Sequence, residues 1–112
     1  MRDEIKSKPM KEILYRESRV AKVLGEPAKY AIINVLLKSG PMSVNDIVKV
    51  VKRSQSTVSH HLAQLKNLEV VRFEAKSVGN YYWIKHPEEL RAILVALNRF
   101  VKRTLYGVSV EE

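Results

Sequence analysis

The segment from Ser54 to Leu65, SQSTVSHHLAQL, divides its chemistry between two sides. Val58, Leu62 and Leu65 recur at i, i+4 and i+7, one face of a helix, and Ser54 is a residue type that caps a helix N-terminus. The other face carries Ser56, Ser59, His60 and Ala63, which are short or able to hydrogen-bond. Exposed helix faces usually carry Glu and Lys, and this one has neither before Lys66. A helix that locks into a core on one side and offers short donors and acceptors on the other suits the DNA major groove, where base edges are read. Gln55, Ser56, Ser59 and His60 are therefore candidate base or phosphate contacts, and Thr57 a candidate phosphate contact. No Arg stands on that face to grip a guanine through two hydrogen bonds, so discrimination between sequences is expected to be modest or aided from elsewhere.

The charge balance points the same way. The chain has 112 residues, with Lys plus Arg 20 and Asp plus Glu 12, a formal net charge of +8. An excess of that size implies an anionic partner, most simply double-stranded DNA. Between Lys49 and Lys76 the cations are Lys49, Lys52, Arg53, Lys66, Arg72 and Lys76, opposed only by Glu69 and Glu74. Lys49, Lys52 and Arg53 before the polar-faced helix, and Arg72 and Lys76 after it, are candidate phosphate contacts.

Other chemistries find little support. There is no cysteine, which excludes disulfides and thiolate metal sites and fits a cytoplasmic protein. His60 and His61 are adjacent, so on a helix they point about 100° apart and do not chelate. His61 falls on the core side, where a satisfied, partly buried ring is expected, and His86 beside Pro87 reads as a helix start. No metal site and no cofactor is predicted. With no nucleophile beside a base and no phosphate-cradling glycine loop, the chain is not expected to be an enzyme. No run approaches the roughly 18 apolar residues of a membrane span, and no signal peptide is seen.

The elements that would position these residues follow from periodicity. A first helix is predicted from about Pro9 to Leu24, with residues 1 to 8 frayed, and a second from Pro27 to the Ser39-Gly40-Pro41 stop. Ser43-Val44-Asn45-Asp46 has the form of a capping box and opens a short helix that ends near Lys52-Arg53. With the Ser54 helix it makes a helix-turn-helix over about 43–67. Val70, Val71 and Phe73, then Tyr81, Tyr82, Trp83 and Ile84, flank a Gly79-Asn80 turn and read as a β-hairpin over about 70–85, a wing with Lys76 near its tip. Alternation makes its aromatic residues packing groups rather than platforms for bases. A last helix over about 88–105 has acids first and bases last, as the helix dipole favours, and the tail from Tyr106 to Glu112 is expected to be loose. The expected fold is mainly α with a small β-hairpin, a single winged helix-turn-helix domain spanning 1–112. Its terminal helices, about 9–24 and 88–105, carry more apolar surface than so small a core can cover. They are predicted to bury it against a second copy, forming a homodimer. The alternative arrangement wraps both helices round their own chain.

On these residues the chain resembles the ArsR/SmtB family of winged-helix repressors. The resemblance covers about residues 16 to 103. Val58, Ser59, His61, Leu62 and Leu65 fall on the family's V-S-x-H-L-x-x-L signature, and Ala21 to Ile32 looks like its approach to the second helix, with Glu26 for the usual Asp and Lys29 for the usual Arg. The wing from Val71 to Ile84 also fits. The resemblance implies a homodimeric, sequence-specific transcriptional regulator, a repressor, bound to an inverted-repeat operator. The family's paired cysteines, however, are replaced by Ser43 and Asn45, neither a soft-metal ligand, and the last helix lacks the Asp, His and Glu set with which other members hold zinc. The metal inducer is thus withheld. An unknown small-molecule effector stays open, with a pocket near Tyr30, Leu94 or Phe100 as its place. A competing reading is a winged-helix module that binds protein or RNA within a larger complex.

Overall fold

The computed structural model describes residues 2–106, with side chains from residue 11 onward. The elements run α1 (Arg2–Leu24), α2 (Pro27–Ser39), β1 (Met42–Ser43), α3 (Val44–Val51), α4 (Gln55–Asn67), β2 (Val71–Lys76), β3 (Gly79–Ile84) and α5 (Pro87–Tyr106). The described residues form a winged helix-turn-helix, five helices and one small sheet. The helix boundaries lie close to the expected ones except for α1, which begins at Arg2 rather than near Pro9. The tail 107–112 lies outside the described residues.

Local chemistry explains the starts and stops. Pro27 sits in the first turn of α2, where its missing N–H is no loss, and Gly40 ends that helix at φ 76, its N–H donating to the Leu36 carbonyl. Ser43 Oγ accepts from the Asp46 N–H at 3.1 Å and caps α3. Ser54 Oγ does the same for α4, accepting from the Thr57 N–H at 3.1 Å. Between them Lys52 takes the left-handed conformation, φ 58 and ψ 47, and its N–H closes α3 on the Val48 carbonyl.

The sheet differs from the expected lone hairpin. It has three antiparallel strands in the order β1-β3-β2, with Met42 opposite Tyr82 and Ser43 opposite Tyr81. A strand of two residues is too short to show an alternating pattern, which is why the sequence reading missed it. The hairpin turn also shifts. Lys76 pairs with Gly79, so the loop is Ser77-Val78, and Gly79, at φ 125, opens β3 instead of forming the turn with Asn80.

The core lies under the helix-turn-helix. Ile32, Ile33 and Leu36 of α2, Ile47 of α3 and Val58, Leu62 and Leu65 of α4 are almost wholly buried, and Val71 and Ile84 close it from the wing. Each such side chain contributes about 1.5–3 kcal/mol of burial free energy. The terminal helices touch this core near their inner ends, through Val23 and Leu24 of α1 and Leu90 and Leu94 of α5. Beyond those points Ile13, Leu14, Leu97, Phe100, Val101 and Leu105 remain exposed, Phe100 at 66%. The arrangement in which both helices wrap their own chain is therefore not the one adopted. The radius of gyration, 16.8 Å, exceeds the about 13 Å of a closed domain of this length, because both helices reach out as arms.

Candidate nucleic-acid interface

The apolar triad of α4 fixes the roll of the helix. With Val58, Leu62 and Leu65 all at 0% exposure, Gln55, Ser56, Ser59, His60 and Ala63 must face solvent, and they do. The first turn is held by a hydroxyl cluster: Ser54 Oγ donates to Thr57 Oγ1 at 2.8 Å and lies 3.3 Å from Ser56 Oγ. Thr57 is consequently half-buried and turned toward its cap, while Ser56 stays exposed. No Lys, Arg, Asp or Glu stands on the face from Gln55 to Gln64, and the first-turn N–H groups add the positive end of the helix dipole.

Cations flank this face in the chain, before it and after it. Lys49, Lys52 and Arg53 are exposed at the end of α3 and in the turn, and Arg72 and Lys76 are exposed on β2. Lys76 stands loosely by Glu74, its Nζ 3.9 Å from the carboxylate. The structure thus places the predicted contacts of the α3–α4 turn and of α4 together. Arg72 and Lys76 sit on the wing that follows α4.

Three supports escaped the sequence reading. Lys66, at the end of the α4 face, lies 4.7 Å above the Phe73 ring, and Phe73 in turn stacks on Tyr82 at 5.5 Å, tying the helix to the wing. At the wing root Lys85 pairs with Glu69, which holds the Glu69 carboxyl below the usual carboxylate range, the hydrogen bond being the main cause. Behind α4, Lys29 is 5% exposed and pairs with Glu26. That hydrogen bond outweighs burial and lowers the Glu26 carboxyl.

His61 departs from expectation. It is half-buried on the inner side, as expected, but its Nδ1 is buried with no hydrogen-bond partner in the chain. Burial, and then the Lys29 ammonium, push the imidazole below its usual 6.5; Glu26 opposes them, and His60 and Arg53 add smaller downward pushes. The folded chain therefore binds a proton at His61 less readily than the unfolded chain does. Stability from this source is whole above pH 6.5 and is lost as pH falls below it. The melting temperature is expected to decline from pH 7 to pH 5, and His61→Leu should flatten that decline; parallel curves for the two proteins would contradict the assignment.

Among the described residues no group of three or more His, Cys, Asp or Glu stands ready to hold a metal ion. Ser43, at one of the family's cysteine positions, is occupied as the α3 cap.

Comparison with known proteins agrees with this architecture. The model of the family described as "Bacterial regulatory protein, arsR family" matches residues 26–72, the span from the start of α2 to the start of the wing. An uncharacterized HTH-type transcriptional regulator of Methanocaldococcus jannaschii is 32% identical over 69 residues, 62% of this chain and 78% of that protein. The crystal structure of the transcriptional repressor PagR of Bacillus anthracis is 28% identical, covers 77% of this chain and 97% of its own, and superposes with a TM-score of 0.66. A homodimeric winged helix-turn-helix DNA-binding domain from Mycobacterium bovis reaches a TM-score of 0.77 over 92% of this chain and 94% of that one, a likeness of fold at 20% identity. With the family model matched from α2 through the helix-turn-helix and a relative 32% identical over 78% of its own length, the chain belongs to the arsR family of transcriptional regulators.

Proposed function

We propose that the protein works as a homodimer that reads an inverted-repeat operator in double-stranded DNA and represses transcription in the cytoplasm. The observation that carries this is the exposed, short-chained face of α4, free of Lys, Arg, Asp and Glu, with exposed cations in the α3–α4 turn before it and on the wing after it. Gln55, Ser56, Ser59 and His60 would meet base edges or phosphates. Thr57, Lys49, Lys52, Arg53, Arg72 and Lys76 would meet phosphates, which supply most of the affinity while the helix supplies the sequence.

The whole described chain then acts as one unit, with α1 and α5 as the dimerisation arms. Their exposed apolar side chains would be covered by a second copy through a two-fold axis, setting the two reading helices about 34 Å apart on successive major grooves. The name of PagR, a transcriptional repressor, favours repression over activation. No helix among the described residues is long and apolar enough to cross a membrane.

Fluorescence anisotropy with an inverted-repeat duplex selected from a random pool, a scrambled duplex and the matching single strand tests this reading. The selected duplex should bind tightest, with an affinity that falls steeply with salt. Preference for single strands, or equal binding to all three, would overturn it. Lys76→Ala should weaken binding to every duplex alike and reduce the salt slope by about one unit; a loss confined to one operator would show that Lys76 reads sequence instead.

A further inference from the structure

A cleft between α2 and α5, about 440 Å³, has no part in the reading above. Its apolar wall is Leu37, Leu94 and Val95, and its charged lining is all cationic: Lys38, Arg91, Arg99 and Lys102, with no carboxylate. The volume falls in the range of small-molecule sites. Of the three residues near which the sequence left an effector pocket open, Leu94 lines this cleft, and Tyr30 and Phe100 do not.

The helical register of α5 sets this cleft apart from most of the arm's apolar side. Arg91, Val95, Asn98 and Lys102 recur at i, i+4, i+7 and i+11, one face that borders the cleft. Ile93, Leu97, Phe100 and Thr104 repeat the same spacing two residues later, about 200° round the helix. Of the arm's other exposed apolar residues, Val101 lies between the two faces and Leu105 on the cleft side, so a second copy seated on Ile93, Leu97 and Phe100 borders the cleft without filling it. Arg91 also donates from Nη2 to the Leu37 carbonyl at 3.2 Å, joining α5 to the last turns of α2. From there Gly40 and Pro41 lead to β1 and to Ser43, the cap of α3.

We propose that this cleft binds a small organic anion, a carboxylate with an apolar body, and that its occupation weakens DNA binding. The apolar body would lie on Leu37, Leu94 and Val95. The carboxylate would take Arg91 and Lys102, drawing the guanidinium from the Leu37 carbonyl and loosening the joint between the dimerising arm and the helix that feeds the helix-turn-helix. The site itself is independent of the DNA reading; only its consequence rests on it.

Melting of the full chain with benzoate and with hexanoate, against uncharged benzamide and against sulfate at equal ionic strength, tests the site without DNA. Benzoate or hexanoate should raise the melting temperature saturably, by roughly 10 °C at a hundred times its dissociation constant; benzamide and sulfate should not. A Lys38→Gln, Lys102→Gln variant, which leaves Arg91 on the Leu37 carbonyl, should lose most of the shift while keeping its ligand-free melting temperature and DNA affinity; Arg91→Gln should lose the shift and, because it also opens the joint, bind duplex more weakly without any ligand. No saturable rise with either carboxylate, an equal rise with sulfate, or a rise that survives in the variants would overturn the site. In the wild type, saturating carboxylate should weaken duplex binding at least tenfold; a stabilised protein with unchanged DNA affinity would overturn the coupling and leave the dimeric DNA-binding reading intact.

Discussion

A Leu97→Glu, Phe100→Glu variant should stay folded, sediment as a monomer and bind its selected duplex at least 100-fold more weakly than the parent. Both side chains are exposed in the single chain, 39% and 66%, so the change leaves the chain's own core untouched. Leu90 and Leu94 still anchor α5. What it removes is the apolar face that a second copy would cover, replacing it with carboxylates that repel their symmetry mates. A dimer engages its second half-site as an intramolecular event, and losing that advantage costs a factor of about 10² to 10⁴. Sedimentation velocity and anisotropy on the same samples check it. A variant that remains dimeric, or a monomer that binds as well as the parent, would remove the arms from the account.

Leu62→Ala should destabilise the protein by about 3–5 kcal/mol, the cost of deleting a fully buried Leu and leaving part of the cavity open. Leu62 is 0% exposed and lies among Ile32, Ile33, Leu36, Ile47 and Leu65. Against a total of about 5–15 kcal/mol, that loss would leave little or no folded protein at working temperatures. Ser59→Ala, on the opposite face of the same helix, should change stability by less than about 0.5 kcal/mol and act on DNA binding instead. Urea unfolding at one fixed protomer concentration compares the two, since dimerisation makes stability concentration-dependent. Equal losses would mean that α4 is not rolled as described.

The contrast between those two positions also explains what was legible in the sequence. Residues 54 to 65 carry a period, a cap and an unusual outer face together, so the helix and its roll followed from residue types alone. β1 did not, because Met42 and Ser43 extend by two residues only and pair with a strand some 40 residues away, a relation no local pattern encodes. Lys29 shares the i, i+3, i+4, i+7 spacing of Ile32, Ile33 and Leu36, so its burial was present in the period. The reading passed over it because a lysine is rarely placed inside without a partner, and its partner Glu26 lies three residues earlier. His61 was placed correctly on the inner side, but whether a ring nitrogen finds a partner depends on neighbours brought in by α2. The cleft beside Leu94 likewise arises from two helices far apart in sequence.

On the proposed function, the outer face of α4 enters the groove of duplex DNA. Ser59 is exposed in the middle of that face, and a carboxylate placed there would stand against phosphates and base acceptors. The most direct measurement is the duplex affinity of Ser59→Glu at fixed salt, beside its melting temperature and circular dichroism. Like-charge juxtaposition at an interface costs several kcal/mol, so affinity should fall at least 100-fold while the fold is unchanged. A Ser59→Glu protein that is folded and binds the duplex as tightly as the parent would contradict the claim.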